Sequence, residues 1–279
     1  MNKKKLTLGF SSCPNDTFIF DAMIHNKIDT EGIDFKIFIG DVEELNKKAF
    51  NQELDITKIS FNAFTRLTDN YVLLDSGAAL GENCGPLIIS DRSVDLTELK
   101  RKRIAIPGIN TTANLLMSFA FPEVENKVEM VFSDIENAVL HKEVDAGLII
   151  HESRFTYKEK GLYKLADVGE IWENRTGTPT PLGGIIAKHN LGDNTLHKIN
   201  RVLRKSVEFA FENPKSGLDF IRSHAQEMSE EVMYKHINLY VNDYTVSLGE
   251  KGRKSVEKLF RIAVNLGLIK KIPTTIFLI

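Results

Sequence analysis

The sequence predicts an α/β protein of two similar lobes around a central cleft, and three observations predict it. A β-α-β-α-β pattern runs through the first 60 residues and returns between residues 103 and 150. The tetrapeptide Glu53-Leu54-Asp55-Ile56 is echoed 90 residues later by Glu143-Val144-Asp145-Ala146, each closing a helix and opening an apolar strand. After about Leu191 the alternation gives way to helices alone, so the chain most economically returns to complete the lobe it began. A length of 279 residues suits two lobes of ordinary size. A single doubly wound sheet with a coincidental tetrapeptide match stays open on pattern alone.

In chain order, Leu6 to Phe10 reads as a strand, a helix starts near Thr17, and Ile33, Phe35, Ile37 and Ile39 alternate as a strand. A helix over Val42 to Phe50 and a strand over Asp55 to Ile59 complete the first unit. The second unit has a strand at Arg103 to Ile106, a helix from Thr111, a strand at Val128 to Phe132, a helix at Asp134 to His141 and a strand at Ala146 to Ile150. Leu196, Ile199, Val202, Leu203 and Phe209 keep helical spacing, as do Val256, Leu259, Phe260, Ala263 and Val264 ahead of Gly267. The expected division is residues 1–90 with 189–279 for one lobe and 91–188 for the other. Two crossings make a hinge of the kind that closes around ligands.

A net charge of -2, with acidic and basic residues interleaved, gives no footprint for nucleic acid or an anionic membrane. The expected partner is a small molecule. Cys13 and Cys84 are too few to staple the chain and lack zinc-site spacing, which fits a reduced cytoplasmic setting. The opening MNKKKLTLGFSSC imitates a lipoprotein signal, but its apolar stretch is five residues, short of the roughly 7 to 15 an export signal needs. The uncharged stretch Ile104 to Pro122 is interrupted by Pro107, Gly108 and several polar residues, so it reads as no membrane span.

Ligands of open α/β sheets collect where strands end and helices begin. Those ends hold Asn15 and Asp16 after the first strand, Lys58 and Ser60 at the third, Thr111 and Thr112 after the first strand of the second unit, and His151 after its third. Under the repeat, Ser60 and His151 hold equivalent places. Each has an alternative: Thr111 or Thr112 as an ordinary N-cap, Lys58 as a surface charge on a strand edge, His151 as a hydrogen-bonded structural histidine. An imidazole at a cleft mouth can serve as general base.

No nucleophile elbow, phosphate-binding lysine loop or dinucleotide glycine turn occurs. His151-Glu152 opens like a zinc-protease helix, but Phe155 stands where a second ligand is needed, and the other six histidines show no tight pairing, so no metal is expected. Gly77, Gly81 and Gly85 fit no phosphate fingerprint and read as points where backbone approaches a hinge or ligand.

Cys13-Pro14-Asn15-Asp16-Thr17-Phe18, Thr57-Lys58-Ile59-Ser60, Cys84-Gly85-Pro86-Leu87, Pro107-Gly108 with Thr111-Thr112-Ala113, the run GLIIHESRFTY from Gly147 to Tyr157, and Pro179-Thr180-Pro181-Leu182-Gly183 together resemble the 1,4-dihydroxy-6-naphthoate synthase family of the futalosine route to menaquinone. Ser12 departs from the family's usual proline, which bears on the rigidity of that loop. The resemblance implies a type II periplasmic-binding-protein fold in a cytoplasmic lyase without cofactor. Its substrate would be cyclic dehypoxanthinyl futalosine, a carboxylated bicyclic ring joined to a sugar-derived ring. It places substrate contacts on Lys58, Ile59, Ser60, Thr111 and Thr112 and the proton acceptor on His151. The rivals are a chorismate dehydratase of the same route and a non-catalytic solute-binding protein.

Overall fold

The computed structural model describes residues 4–225 and 229–278. The first unit runs β1 (Lys4–Phe10), α1 (Pro14–Ile24), β2 (Ile33–Ile39), α2 (Val42–Phe50), β3 (Ile56–Ser60), α3 (Phe61–Phe64), β4 (Tyr71–Leu73) and β5 (Ala79–Gly81). The second runs β6 (Leu87–Ser90), β7 (Ile104–Ile106), α4 (Thr112–Ala120), β8 (Lys127–Glu129), α5 (Ile135–Leu140), β9 (Ala146–Ile149), α6 (Ser153–Thr156), β10 (Tyr163–Asp167) and α7 (Val168–Thr176). The chain then returns through β11 (Thr180–Lys188) and ends in α8 (Asp193–Glu212), α9 (Leu218–His224), α10 (Glu230–Tyr240), α11 (Asp243–Val246) and α12 (Gly249–Asn265).

Two sheets result, and they repeat one pattern. The first has order β2-β1-β3-β11-β4 with β5 paired to β11; the second has order β10-β6-β9-β7-β8. In each, three parallel strands are followed by an antiparallel one: β11 beside β3 in the first, β6 beside β9 in the second. The equivalence holds residue by residue, since Leu8 pairs with Ile56 as Ile104 pairs with Ala146. All five residues of β3 are buried, as its central place between β1 and β11 requires.

Both sheets keep their apolar faces against helices. The face of α8 carrying Leu196, Ile199, Val202, Leu203 and Val207 is buried and packs on α1, so the helical tail does cover the first sheet. Residues 14–23 of α1 are all buried, because α8, α9 and α10 cover the side that β1 does not. In the second sheet, Ile135 and Val139 of α5 pack over Gly147, where a Cβ would meet Ile135 at 2.4 Å.

The structure departs from the sequence reading in four places. Helix α1 begins at Pro14 rather than near Thr17, since proline's fixed φ is preset for a first helical turn. The strand expected over Val128 to Phe132 stops at Glu129, and Phe132–Asp134 forms a 3-10 turn. Strand Leu87–Ser90, expected at the end of the first lobe, pairs in the second sheet, and Thr180–Lys188, expected in the second, pairs in the first. Finally, the strand pairing sets Ser60 opposite Ile150 in the repeat, and His151 lies one residue beyond.

Candidate active site

A cleft opens between the sheets. From the first sheet's side, Asn15, Asp16, Lys58, Ile59 and Ser60 line it; from the second's, Thr111, Thr112 and His151 do so. All the candidate residues therefore meet at one place.

Strand alternation puts Lys58 and Ser60 on the cleft face and turns the Ile59 side chain, 0% exposed, into the core, leaving Ile59 only its main chain to offer. The edge-charge alternative for Lys58 does not hold, because β3 is central and Lys58 is buried. Its Nζ donates to Asp16 Oδ1 at 2.9 Å. Asp16 is further held by the Asn15 amide at 2.8 Å and by the Ser11 N–H and hydroxyl at 3.1 and 2.7 Å. A buried cation thus reaches the cleft with its counter-ion fixed on α1.

Ser60 is set by Asn46 of α2. Its N–H donates to Asn46 Oδ1 at 3.0 Å, and Asn46 Nδ2 donates to Ser60 Oγ at 3.1 Å and to Glu43 Oε2 at 3.0 Å. Across the cleft, Asn110 Nδ2 donates to Glu43 Oε1 at 2.5 Å, which joins the two sides. Burial pushes the Glu43 carboxyl up from its ordinary range, against the donors from Asn46 and Asn110. Gly108, at φ +146°, leaves the space that the Glu43 side chain fills: a Cβ there would lie 2.6 Å from Glu43 Oε2.

The two threonines do different things. The Thr111 hydroxyl caps α4, accepting from Asn114 N at 3.3 Å and donating to Gly108 O at 2.7 Å, while the residue also lines the cleft. The Thr112 hydroxyl donates to Leu182 O on β11 and accepts from Asn62 N at 3.2 Å, bridging the two sides. What α4 still offers the cleft are the first-turn amides of Thr112 and Ala113, which have no carbonyl one turn back to bind.

His151 sits in a left-handed turn at φ +57°, rare for a residue with a side chain and typical of functional positions. That turn swings the imidazole under Phe132, edge-on at 4.9 Å between ring centroids. Its Nε2 is buried without a hydrogen-bond partner among the described residues, so it is not the hydrogen-bonded structural histidine of the alternative. Burial pushes its titration down to about 4, with Asp41 and Asp16 pulling it back up and Lys58 pushing it further down. The ring is neutral at neutral pH, below the ordinary histidine range that the sequence suggests.

The loop carrying His151 is anchored by Arg154, which donates to Asn83 O at 2.7 Å, to Gly85 O and to Asp167 Oδ2 at 2.9 Å. Gly85 itself packs against the backbone of Gly169, where a Cβ would come within 2.3 Å, which is why that crossing needs glycine. Cys13 and Cys84 are buried free thiols. Burial raises the Cys13 thiol well above its ordinary range and Cys84 to about 12, so neither is a nucleophile at neutral pH. Cys13, His151 and Glu152 do offer three ligand atoms within 4.8 Å of one another. A metal ion held there would have to strip a proton from a buried thiol.

Sequence reasoning missed Glu43, Asn46, Asn62 and Arg154. The first three act across folds of the chain that leave no local pattern. Arg154 stands inside the GLIIHESRFTY run and was readable only as part of it.

A family model described as menaquinone biosynthesis matches residues 6–265. A 1,4-dihydroxy-6-naphtoate synthase from Thermus thermophilus is 42% identical over 272 residues, 98% of each chain. One from Streptomyces coelicolor is 40% identical over 275 residues, 96% of each. A crystal structure of a protein from Archaeoglobus fulgidus superposes with a TM-score of 0.90 at 37% identity, covering 95% of this chain and 98% of the other. The alkanesulfonate-binding protein of Xanthomonas axonopodis pv. citri superposes with a TM-score of 0.70 at 12% identity, covering 100% of this chain and 97% of the other. That likeness establishes the periplasmic-binding-protein-like fold and nothing further. With near-complete coverage by both the family model and the two synthases, the chain belongs to the menaquinone biosynthesis family of 1,4-dihydroxy-6-naphthoate synthases.

Proposed function

We propose that the protein is a 1,4-dihydroxy-6-naphthoate synthase, a carbon-carbon lyase that converts cyclic dehypoxanthinyl futalosine to 1,4-dihydroxy-6-naphthoate in menaquinone biosynthesis. The observation that carries this reading is a neutral imidazole with an unpaired Nε2 at the wall of the cleft. A general base must be unprotonated and within reach of its proton, and His151 meets the first condition at any pH well above about 4.

In this reading the ring carboxylate is held by the first-turn amides of α4, by the Ser60 hydroxyl and by the Lys58 ammonium. The Thr112 hydroxyl supports those amides by tying α4 to β11. Asn15 and Asp16 hold the Lys58 head in place. His151 takes the proton that initiates ring opening; carbon-carbon cleavage then releases the sugar-derived fragment and leaves an aromatic ring, whose stability drives the step. The chain's own groups supply binding and proton transfer, and the reading calls for no cofactor.

In this reading the chain forms two lobes, residues 1–86 with 180–279 and 87–179, in place of the expected division at 90 and 188. Closure about the crossings between the lobes would bring Ser60 and His151 onto one substrate. The enzyme would work in the cytoplasm on a small carboxylate, with no nucleic-acid or membrane partner; no helix among the described residues is long and apolar enough to cross a membrane. Incubating the purified chain with cyclic dehypoxanthinyl futalosine and following naphthoate absorbance tests the reading. No absorbance change over hours, with folded protein, would overturn it.

A further inference from the structure

Helix α10 buries Met233, His236, Ile237 and Tyr240, an apolar stripe at helical spacing with one imidazole in it. His236 is 0% exposed, and neither of its ring nitrogens has a hydrogen-bond partner among the described residues. Leaving buried polar atoms unpaired destabilises a fold, so phenylalanine or methionine would serve packing better there. The ring is nevertheless placed beside the cleft. Its centroid lies 6.1 Å from that of His151 and 4.6 Å from that of Tyr240, which lines the cleft.

Two adjoining imidazoles thus present three unpaired nitrogens, both of His236 and Nε2 of His151. Rings joined by a direct N–H···N bond of about 2.9 Å would hold their centroids roughly 5 Å apart. The observed 6.1 Å is longer, so the two rings are close neighbours without a direct bond between them. Burial, with His151 and Lys58 nearby, holds His236 far below its ordinary titration range, so it carries one N–H and one bare nitrogen. The carboxylates that act on the pair from neighbouring elements, Asp16 and Asp41, bear on His151.

We propose that His236 is a second catalytic imidazole, whose N–H donates to the substrate hydroxyl that His151 deprotonates. The inference rests on the reading of His151 as base and of a sugar-derived ring as the substrate's hydroxyl-bearing part. The step is a proton transfer: the substrate O–H bond breaks, a bond forms from that proton to His151 Nε2, and the electron pair stays on the oxygen. His236 steadies that developing charge with a donor already in place, as an oxyanion hole does. A water molecule could supply the same oxygen, and the experiment separates the two sources.

The test compares His236→Phe, which keeps a ring without donors, with His236→Gln, which restores an N–H. Loss of one oxyanion donor lowers kcat by about 10²- to 10³-fold. That loss is expected for the phenylalanine variant, with a melting temperature equal to or above the parent's, and the glutamine variant should recover about tenfold of it. In a His151→Asn background, where turnover is slow, adding His236→Phe should weaken binding of the futalosine substrate about tenfold or more. Binding of the product dihydroxynaphthoate, which lacks the sugar fragment, should not change. Unchanged substrate affinity would assign the oxygen to water and overturn the proposal. So would a phenylalanine variant that keeps kcat within about threefold of the parent; if that variant does not fold, a glutamine variant with substrate affinity below a tenth of the parent's overturns it instead. A parent protein that binds neither ligand would instead sink the naphthoate synthase reading itself.

Discussion

Lys58 Nζ lies 2.9 Å from Asp16 Oδ1 with both side chains buried, so the central strand of the first sheet and its first helix are joined by an ion pair at the wall of the cleft. Removing one partner of a buried pair leaves the other charge without compensation, at a cost of about 3–5 kcal/mol. Lys58→Met should therefore lower stability by that amount, and Lys58→Met with Asp16→Asn should lower it by less. Urea unfolding of the two single variants and the double one gives the comparison; strict additivity would show that the pair is not coupled.

His151→Asn should keep the fold while kcat drops by about 10²- to 10⁴-fold, the usual loss for a positioned base. In the parent, the acid limb of kcat should bend near 4 rather than near the ordinary histidine range, because burial holds the ring neutral. A limb near 6.5 would mean that the working imidazole is solvated during turnover.

Acid should destabilise the fold in a definite window. His151 and His236 both titrate lower in the folded chain than in the unfolded one, so as pH falls the unfolded chain takes up protons first. Their contribution is complete above about pH 6.5 and is lost as pH falls from there, down to about 4 for His151. For His151 alone it is on the order of 3 kcal/mol. His236→Phe should lose less stability than the parent between pH 7 and pH 5 in urea titrations; equal losses would show that His236 is protonated in the fold.

The two threonines should separate by phenotype. Thr111→Val removes a helix cap and should cost about 1 kcal/mol of stability with little effect on KM. Thr112→Val strips Leu182 O and Asn62 N of their shared partner, so substrate binding should weaken by roughly tenfold. The opposite pattern in paired melting and kinetic measurements would exchange the roles.

Much of this was readable in advance, and the reason is periodicity. Apolar residues alternate over Ile33 to Ile37 in the sequence and helices such as α8 carry an apolar face, so the repeated unit and the helical return are visible without a structure. Lys58 and Ser60 share a face for the same reason. What periodicity cannot show is which side chain meets which across distant segments. Asn46 reads as one more polar residue of a helix until β3 places Ser60 beside it. The left-handed turn at His151 has no glycine or asparagine to announce it, whereas the 90-residue spacing of the two tetrapeptides already sets Ser60 opposite Ile150 rather than His151. His236 did leave a trace, as the lone imidazole among Met233, Ile237 and Tyr240, but its neighbour His151 is 85 positions away in the chain.

Arg154 binds the carbonyls of Asn83 and Gly85 on one side and Asp167 on the other, so the turn that presents His151 and the strap between the sheets are a single mechanical part. For protein engineering this makes the His151 turn non-modular. A transplant of residues 147–157 into another scaffold would arrive without its fastening unless residues 83–86 and Asp167 travelled with it. A library that randomises the strap would likewise be altering the aim of the imidazole, though no strap residue need touch it.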